Sequence, residues 1–327
     1  MAGLTTPYVA RIRTKKHCGA PALRESPIVS LLNWTGAKSR QPIKKIDRIK
    51  SPPIKCQGIK TKLTRFIAES VHWTGRGRWV EPFLGSGAVL FNIRPQRAMV
   101  SDSNVHIINV YNEIKNGKVT PQQLSNFLYS EGKILLQKGM EYFYHVRERF
   151  NNNPNSFDFI FLTRSCFNGV MRFNKKGYFN VPFCKKTDRF RQAYITKIVN
   201  QIAWVQSLIK KHDWEFITRD WKETLANVSR DDFVYADPPY SGRHTDYYNK
   251  WSDEENQELI DHLLNIHCGF ALSTWYENKY RKNPIFDLIS NYPLVVKKFD
   301  HFYHVGSSET YRNKMIEALV IDREHAR

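Results

Sequence analysis

The chain has 327 residues, 41% of them hydrophobic, with 50 Lys and Arg against 31 Asp and Glu for a net charge of +19. That apolar content supports a substantial core and excludes wholesale disorder. A mean hydropathy of −0.53, with no apolar run approaching about eighteen residues, excludes a membrane-spanning chain. Cys18, Cys56, Cys166, Cys184 and Cys268 are odd in number and form no C-x-x-C pair. This argues against a disulfide framework or a zinc site and for a reducing compartment. With no charged-then-apolar leader, the expectation is a soluble, cytoplasmic protein without a metal site.

The basic excess predicts a polyanionic partner. It is uneven: residues 1–50 hold eleven basic residues and two acidic ones, Glu25 and Asp47. These fifty residues lack apolar periodicity and read as a flexible or poorly packed basic extension, closed by Pro52-Pro53. The rest of the chain carries +10, still enough to favour nucleic acid over a small neutral substrate.

From there the pattern alternates strand and helix. Leu63–Val71 predicts a helix, Arg78–Phe83 a buried strand, Ala88–Asn92 a helix and Ala98–Asp102 a second strand. Between about 105 and 195 the strand signal fades, and helices over Val105–Lys115 and Phe143–Phe150 flank the polar Asn151–Ser156. Phe233–Asp237 and Phe270–Ser273 read as strands separated by a helix over Glu254–Asn265. Leu294–Phe299 and Glu317–Asp322 read as an antiparallel hairpin. The expectation is an α/β fold with a mostly parallel sheet covered on both faces. Residues 51–104 and 196–327 form the sheet domain, and 105–195 an inserted, mainly helical one.

Two motifs carry chemistry. In Glu81-Pro82-Phe83-Leu84-Gly85-Ser86-Gly87, a strand runs into glycines that let backbone pass close to a ligand. Asp102, twenty-one residues after Glu81, stands where a doubly wound fold places a carboxylate under ribose hydroxyls. A third glycine at the dinucleotide spacing and a Walker lysine are both missing. Alone, the glycine turn is equally a plain tight turn. The second motif, Asp237-Pro238-Pro239-Tyr240, follows an apolar strand. Its prolines stiffen the backbone and donate nothing. The Asp237 carboxylate and the Pro238 carbonyl are then paired acceptors suited to an exocyclic amino group, and Tyr240 can stack on a base.

EPFLGSG followed by ADPPY resembles the Dam-like, D12-class DNA adenine-N6 methyltransferases, from Pro52 to about Asp322. The resemblance implies a Rossmann-like sheet that binds S-adenosylmethionine and an inserted domain (105–195) that recognises the DNA target. Cys56, Lys60, Phe83, Gly85, Gly87, Asp102 and Asp237 would line the cofactor pocket. Asp237, Pro238, Pro239 and Tyr240 would be the catalytic motif. The family's N-terminal cofactor motif, an aromatic, two glycines and a lysine, has two candidates here. Trp34–Lys38 fits better by composition. Lys55–Lys60 fits by position, since Gly58 precedes Glu81 by twenty-three residues and Gly36 by forty-five. Lys55–Lys60 is therefore chosen, with Cys56 where the family often has tryptophan.

Arg164–Arg189 holds seven basic residues and one acidic one, Asp188, interleaved with Phe167, Phe173, Tyr178, Phe179 and Phe183. Such a run suits phosphate contacts and a wedge between bases, and is equally a charged surface over a small core. By match to the family, Phe167 would intercalate, Asn168 and Arg172 would contact the site, and Lys55 would read a guanine. Tyr247, Tyr248 and Trp251 read as a loop over the flipped base or as core; His304 and Ser307 receive no role. Stretches such as PPIKCQGIKTKL and DPPYSGRH are similar to a branch of the family that methylates the first adenine of GATATC within restriction–modification systems. A monomer acting on double-stranded DNA, beside a restriction endonuclease that shares the site, is what this implies. Cytosine N4, RNA or a protein glutamine as substrate, or a non-catalytic DNA-binding module, are the alternatives.

Overall fold

A computed structural model describes residues 43, 46–56, 58–240, 251–278, 282–302 and 314–327, which belong to one compact unit. Trp34–Lys38, Gln57, Tyr247, Tyr248, His304 and Ser307 lie outside the described residues. The strands are β1 (Trp79–Glu81), β2 (Arg97–Asp102), β3 (Asp213–Thr218), β4 (Phe233–Ala236), β5 (Gly269–Asn278), β6 (Leu294–Phe302) and β7 (Lys314–Asp322). They form one sheet in the order β3-β2-β1-β4-β5-β7-β6. The pairs among β1 to β5 are parallel, while β7 runs antiparallel between β5 and β6. The fold is mixed α/β and Rossmann-like.

The helices are α1 (Thr64–Ser70), α2 (Ala88–Ile93), α3 (Val105–Lys115), α4 (Pro121–Lys138), α5 (Met140–Asn152), α6 (Ser156–Ser165), α7 (Gln192–Ile209), α8 (Trp221–Leu225), α9 (Asp253–Asn265) and α10 (Ile285–Leu288). Because side chains alternate across a strand, each central strand feeds two cores. Trp79, Phe233 and Tyr235 point into one, with residues of α1, α2, α3 and α7. Val80, Val234 and Ala236 point into the other, with Trp221, Leu259 and Leu263. The buried residues of α4, α5 and α6 continue the first core without a break.

Several details differ from the sequence expectation. Strand β3 and helices α4, α6 and α7 were not foreseen, and the boundary drawn at 195 falls inside α7. The close of the basic extension is packed: Ile46 is buried, and the Lys50 backbone exchanges two 2.9 Å hydrogen bonds with the Asn92 side chain. An apolar residue and a paired backbone in that stretch give it partners that a flexible arm lacks.

Candidate active site

The sheet order reverses between β1 and β4, and open α/β sheets bind ligands at the carboxyl ends of strands beside such a point. The register Trp79↔Phe233 and Val80↔Val234 brings the two motifs level there. The Glu81–Gly87 turn leaves β1 where Asp237–Tyr240 leaves β4.

The glycine turn is held from β2. Asp102 accepts 2.8 Å hydrogen bonds from the backbone N–H of Gly85 through Oδ2 and of Asn104 through Oδ1. Burial raises its pKa, and these two bonds oppose the shift. Gly85 (φ +50°) and Gly87 (φ +71°) sit in the left-handed region that glycine adopts freely. A Cβ on Gly85 would lie 3.5 Å from Cys56 Sγ, and one on Gly87 would strike Phe91 Cε2 at 2.5 Å. Burial pushes the Cys56 thiol up to about 11, so it remains protonated and serves as a wall, not a nucleophile.

Lys60 is only 5% exposed, and its Nζ lies 2.8 Å from Asp237 Oδ1. It also donates to the Gly58 carbonyl at 3.2 Å and stands 4.9 Å from the centre of the Tyr240 ring. Burial raises the Asp237 pKa to about 6, against the opposing pull of Lys60 and with a smaller push from Glu317. Apart from the Lys60 ion pair, buried Asp237 Oδ1 accepts no aligned hydrogen bond among the described residues. Behind it, Glu81 accepts from Trp79 Nε1 at 2.7 Å, and burial lifts its pKa to about 8.

The site residues thus gather in two groups. Cys56, Lys60, Gly85, Gly87, Asp102 and the Asp237–Tyr240 turn surround the end of β1 and β4. Phe83 instead packs on the opposite core with Trp221 and Trp251, at ring distances of 6.3 and 5.4 Å. Trp251 also donates to Asn256 Oδ1 at 3.0 Å, so it takes the packing alternative left open for it.

The second group lies on a hairpin-like stretch held by Cys166↔Phe183 and Phe173↔Phe179 bridges. A Cβ on Gly169 would lie 3.1 Å from Lys55 Cδ, so Lys55 abuts the Phe167–Gly169 turn. Asn168 has φ +54° and Phe167 is 51% exposed. Arg172 Nε donates to Asn180 Oδ1 at 2.9 Å. Of the five interleaved aromatics, Phe173, Phe179 and Phe183 are buried while Phe167 and Tyr178 are exposed. The stretch is therefore a small core with an exposed tip, and three of its five rings cannot meet a base without unpacking.

Comparison with known proteins fits this arrangement. The family described as D12 class N6 adenine-specific DNA methyltransferase matches residues 57–305. The chain belongs to this family. Among its relatives, "Type II methyltransferase M.CviBI" of Paramecium bursaria Chlorella virus NC1A is 30% identical over 279 residues, covering 76% of this chain and 99% of the relative. "Type II methyltransferase M.MjaIII" of Methanocaldococcus jannaschii is 32% identical over 205 residues, 58% of this chain and 68% of the relative. "DNA adenine methylase" of Serratia marcescens is 27% identical, covering 56% and 67%. A solved rRNA methyltransferase, aviRa from Streptomyces viridochromogenes, shares 12% identity over 81% of this chain and 84% of that one, with a TM-score of 0.33, too loose an overlay to bear on function. This chain is an adenine-specific DNA methyltransferase of the D12 class. Among its described residues, no helix is long and apolar enough to cross a membrane.

Sequence reasoning missed Glu81 as a single residue and Glu317 altogether. Glu81 carried a signal, a carboxylate inside an apolar strand. Glu317 is seventy-seven residues beyond Tyr240 and carried none that local pattern could connect.

Proposed function

We propose that this methyltransferase uses S-adenosylmethionine to methylate N6 of adenine in double-stranded DNA, with residues 105–195 as its target-recognition part. The observation that carries this reading is the Asp237 carboxylate, whose buried Oδ1 is held by the Lys60 ammonium at 2.8 Å at the end of β4, level with the glycine turn that leaves β1. A carboxylate has more acceptor positions than one ammonium fills, and an amino group can donate to those that remain.

The residues present fit the cofactor. Asp102 keeps lone pairs beyond its two backbone bonds for ribose hydroxyls. Gly85 keeps a side chain out of the space beside Cys56, Gly87 lets the turn pack against Phe91, and Lys60 offers an ammonium group. S-adenosylmethionine supplies an electrophilic methyl on a sulfonium centre.

The adenine amino lone pair is delocalised into the ring and attacks poorly. The Asp237 carboxylate and the Pro238 carbonyl accept its two N–H groups and draw them out of plane, which frees the lone pair for the bond being formed. Pro238 and Pro239 hold the acceptors still, and Tyr240 stacks on the base. As the new N–C bond forms, the bond from that methyl to the sulfonium sulfur would break with its electron pair left on sulfur. N6 would shed one proton, which the Asp237 carboxylate, already hydrogen-bonded to it, takes up. Positioning and preorganised acceptors supply the rate, with no nucleophile on the protein.

A base stacked in a duplex cannot reach this turn, so the target nucleotide flips out. The exposed Phe167 fills the gap. Asn168, Arg172 and Lys55 contact the recognition sequence, with Arg172 suited to a guanine edge. The resemblance to the EcoRV modification methyltransferase supports GATATC as the site, its first adenine as the target and a role in a restriction–modification system, acting as a monomer.

The test supplies labelled S-adenosylmethionine with a duplex holding one GATATC, a scrambled duplex, and Asp237→Ala protein. Label in N6-methyladenine on the first duplex only, lost in the variant, is the expected result. Label on both duplexes overturns GATATC and keeps the chemistry. No label on either overturns the duplex-DNA substrate.

A further inference from the structure

We propose that Glu317, on β7, is a positioning residue for the methyl-transfer reaction: it fixes the Tyr240 ring by accepting a hydrogen bond from its hydroxyl. This rests on the methyltransferase reading above and adds a residue that none of the sequence motifs contains.

The geometry is specific. Tyr240 Oη donates to Glu317 Oε2 at 2.5 Å, and both residues are buried. Burying a carboxylate costs several kcal/mol unless it is hydrogen-bonded, so an acid here calls for a reason that an apolar residue would not meet. Glu317 is the Cα partner of Trp275 on β5, and the β5/β7 register shifts between Trp275 and Glu277. Bulges of this kind recur beside active sites, where they re-aim a side chain. Among the described residues, Trp275 packs with Tyr240 in a buried cluster. The Tyr240 ring is thereby met at its hydroxyl by Glu317 and on its flank by Trp275, with the Lys60 ammonium 4.9 Å from its centre.

This matters because Tyr240 follows two prolines that are rigid, whereas its own side chain turns about two bonds. A stacking platform that must be found by rotation forfeits the advantage of a fixed pocket. Anchoring the hydroxyl from a strand two places away in the sheet removes that freedom. Glu317 also faces Asp237 electrostatically, and its negative charge helps keep the Asp237 carboxylate basic.

A double-mutant cycle tests the assignment. Full-length wild type, Glu317→Leu, Tyr240→Phe and the double variant are compared in single-turnover methyl transfer to duplex DNA, with cofactor affinity and thermal midpoint measured in parallel. Each single variant is expected to slow transfer by about tenfold with cofactor affinity unchanged, and the double variant to be no slower than either. Glu317→Gln, which keeps an acceptor oxygen, restores most of the rate. Because it removes the charge, it also moves the acid limb of the rate profile to lower pH.

Rates that multiply to about a hundredfold loss in the double variant overturn the proposal, because the two residues then act independently. So does a Glu317→Leu protein of wild-type rate. Should Glu317→Leu fail to fold, Tyr240→Phe, which removes only the hydroxyl of the same bond, carries the test, and a wild-type rate in it overturns the proposal. A wild type that transfers no methyl to adenine is a different result: it sinks the parent reading, whatever the variants do.

Discussion

The end of β4 and the turn at Phe167 are expected to serve the same flip, one receiving the base and the other filling the gap it leaves, yet they are built in opposite ways. Around Asp237 the polar groups are buried and interlocked: Lys60 pairs with Asp237, and Tyr240 bonds to Glu317. At the hairpin Lys55, Phe167 and Asn168 are exposed and Arg172 is half-buried, on a support that includes the buried Phe173, Phe179 and Phe183. The difference teaches where each task can tolerate water. Aligning an amino group needs fixed dipoles in a dry site, where electrostatic interactions are strong. Meeting a duplex needs exposed groups on a stiff support, since the partner brings its own surface.

The contrast can be broken by substitution, and the largest effect belongs to the buried region. Asp237→Ala is expected to cut single-turnover methyl transfer by about a hundredfold or more, and a loss below tenfold would contradict its role as acceptor. Phe167→Ala is the matched change on the exposed side. It should leave the denaturant midpoint in place, because the ring buries little. Its expected cost is a fall of about tenfold in transfer and a weaker 2-aminopurine signal at the target position. If the signal is unchanged, Phe167 does not hold the flipped state.

Gly87→Ala sharpens the comparison on the stability axis. A Cβ there meets Phe91 at 2.5 Å with φ at +71°, and the expected cost is about 1–3 kcal/mol in equilibrium unfolding. A neutral result would show that α2 can shift to make room.

Protonation gives two smaller effects. The Asp237 pKa, raised to about 6, means that the carboxylate gains a proton as pH falls through that value and loses its acceptor role. The transfer rate should drop with an acid limb near 6. Lys60 holds that value down, so Lys60→Met should move the limb to higher pH; a limb that stays put would separate the pair. Glu81, raised to about 8, binds more protons folded than unfolded between about 4.5 and 8. Stability therefore falls as pH rises across that window. Glu81→Gln should flatten this slope in unfolding measurements at several pH values, and an unchanged slope would assign it elsewhere.

How much of this was legible in the sequence depended on distance along the chain. Strands β1 and β4 declared themselves as apolar runs ending in motifs, and the β6/β7 pair appeared where two such runs stood close together. Strand β3 hid because it is short and half polar: only Trp214 and Phe216 of DWEFIT are buried. Helix α4 carried a readable start, with Pro121 in its first turn and the Thr120–Gln123 capping box. Its mixed composition masked it. Lys60 was placed near the cofactor by motif position and resemblance, since a lone lysine is ordinarily solvated surface; its pairing with Asp237, far away in sequence, carried no signal. The tie between Tyr240 and Glu317 is of the same kind, a product of sheet order.

The placement of β7 between β5 and β6 has a consequence for synthesis. Strand β5 leaves the ribosome with one edge open, and the strand that covers it comes after β6 in the chain. Until β7 arrives, β5 presents unpaired backbone to its surroundings, and Tyr240 has no Glu317 to hold it. A nascent chain can thus carry both sequence motifs and still be an unfinished enzyme. The arrival of β7 sets the moment at which Tyr240 gains its bond to Glu317.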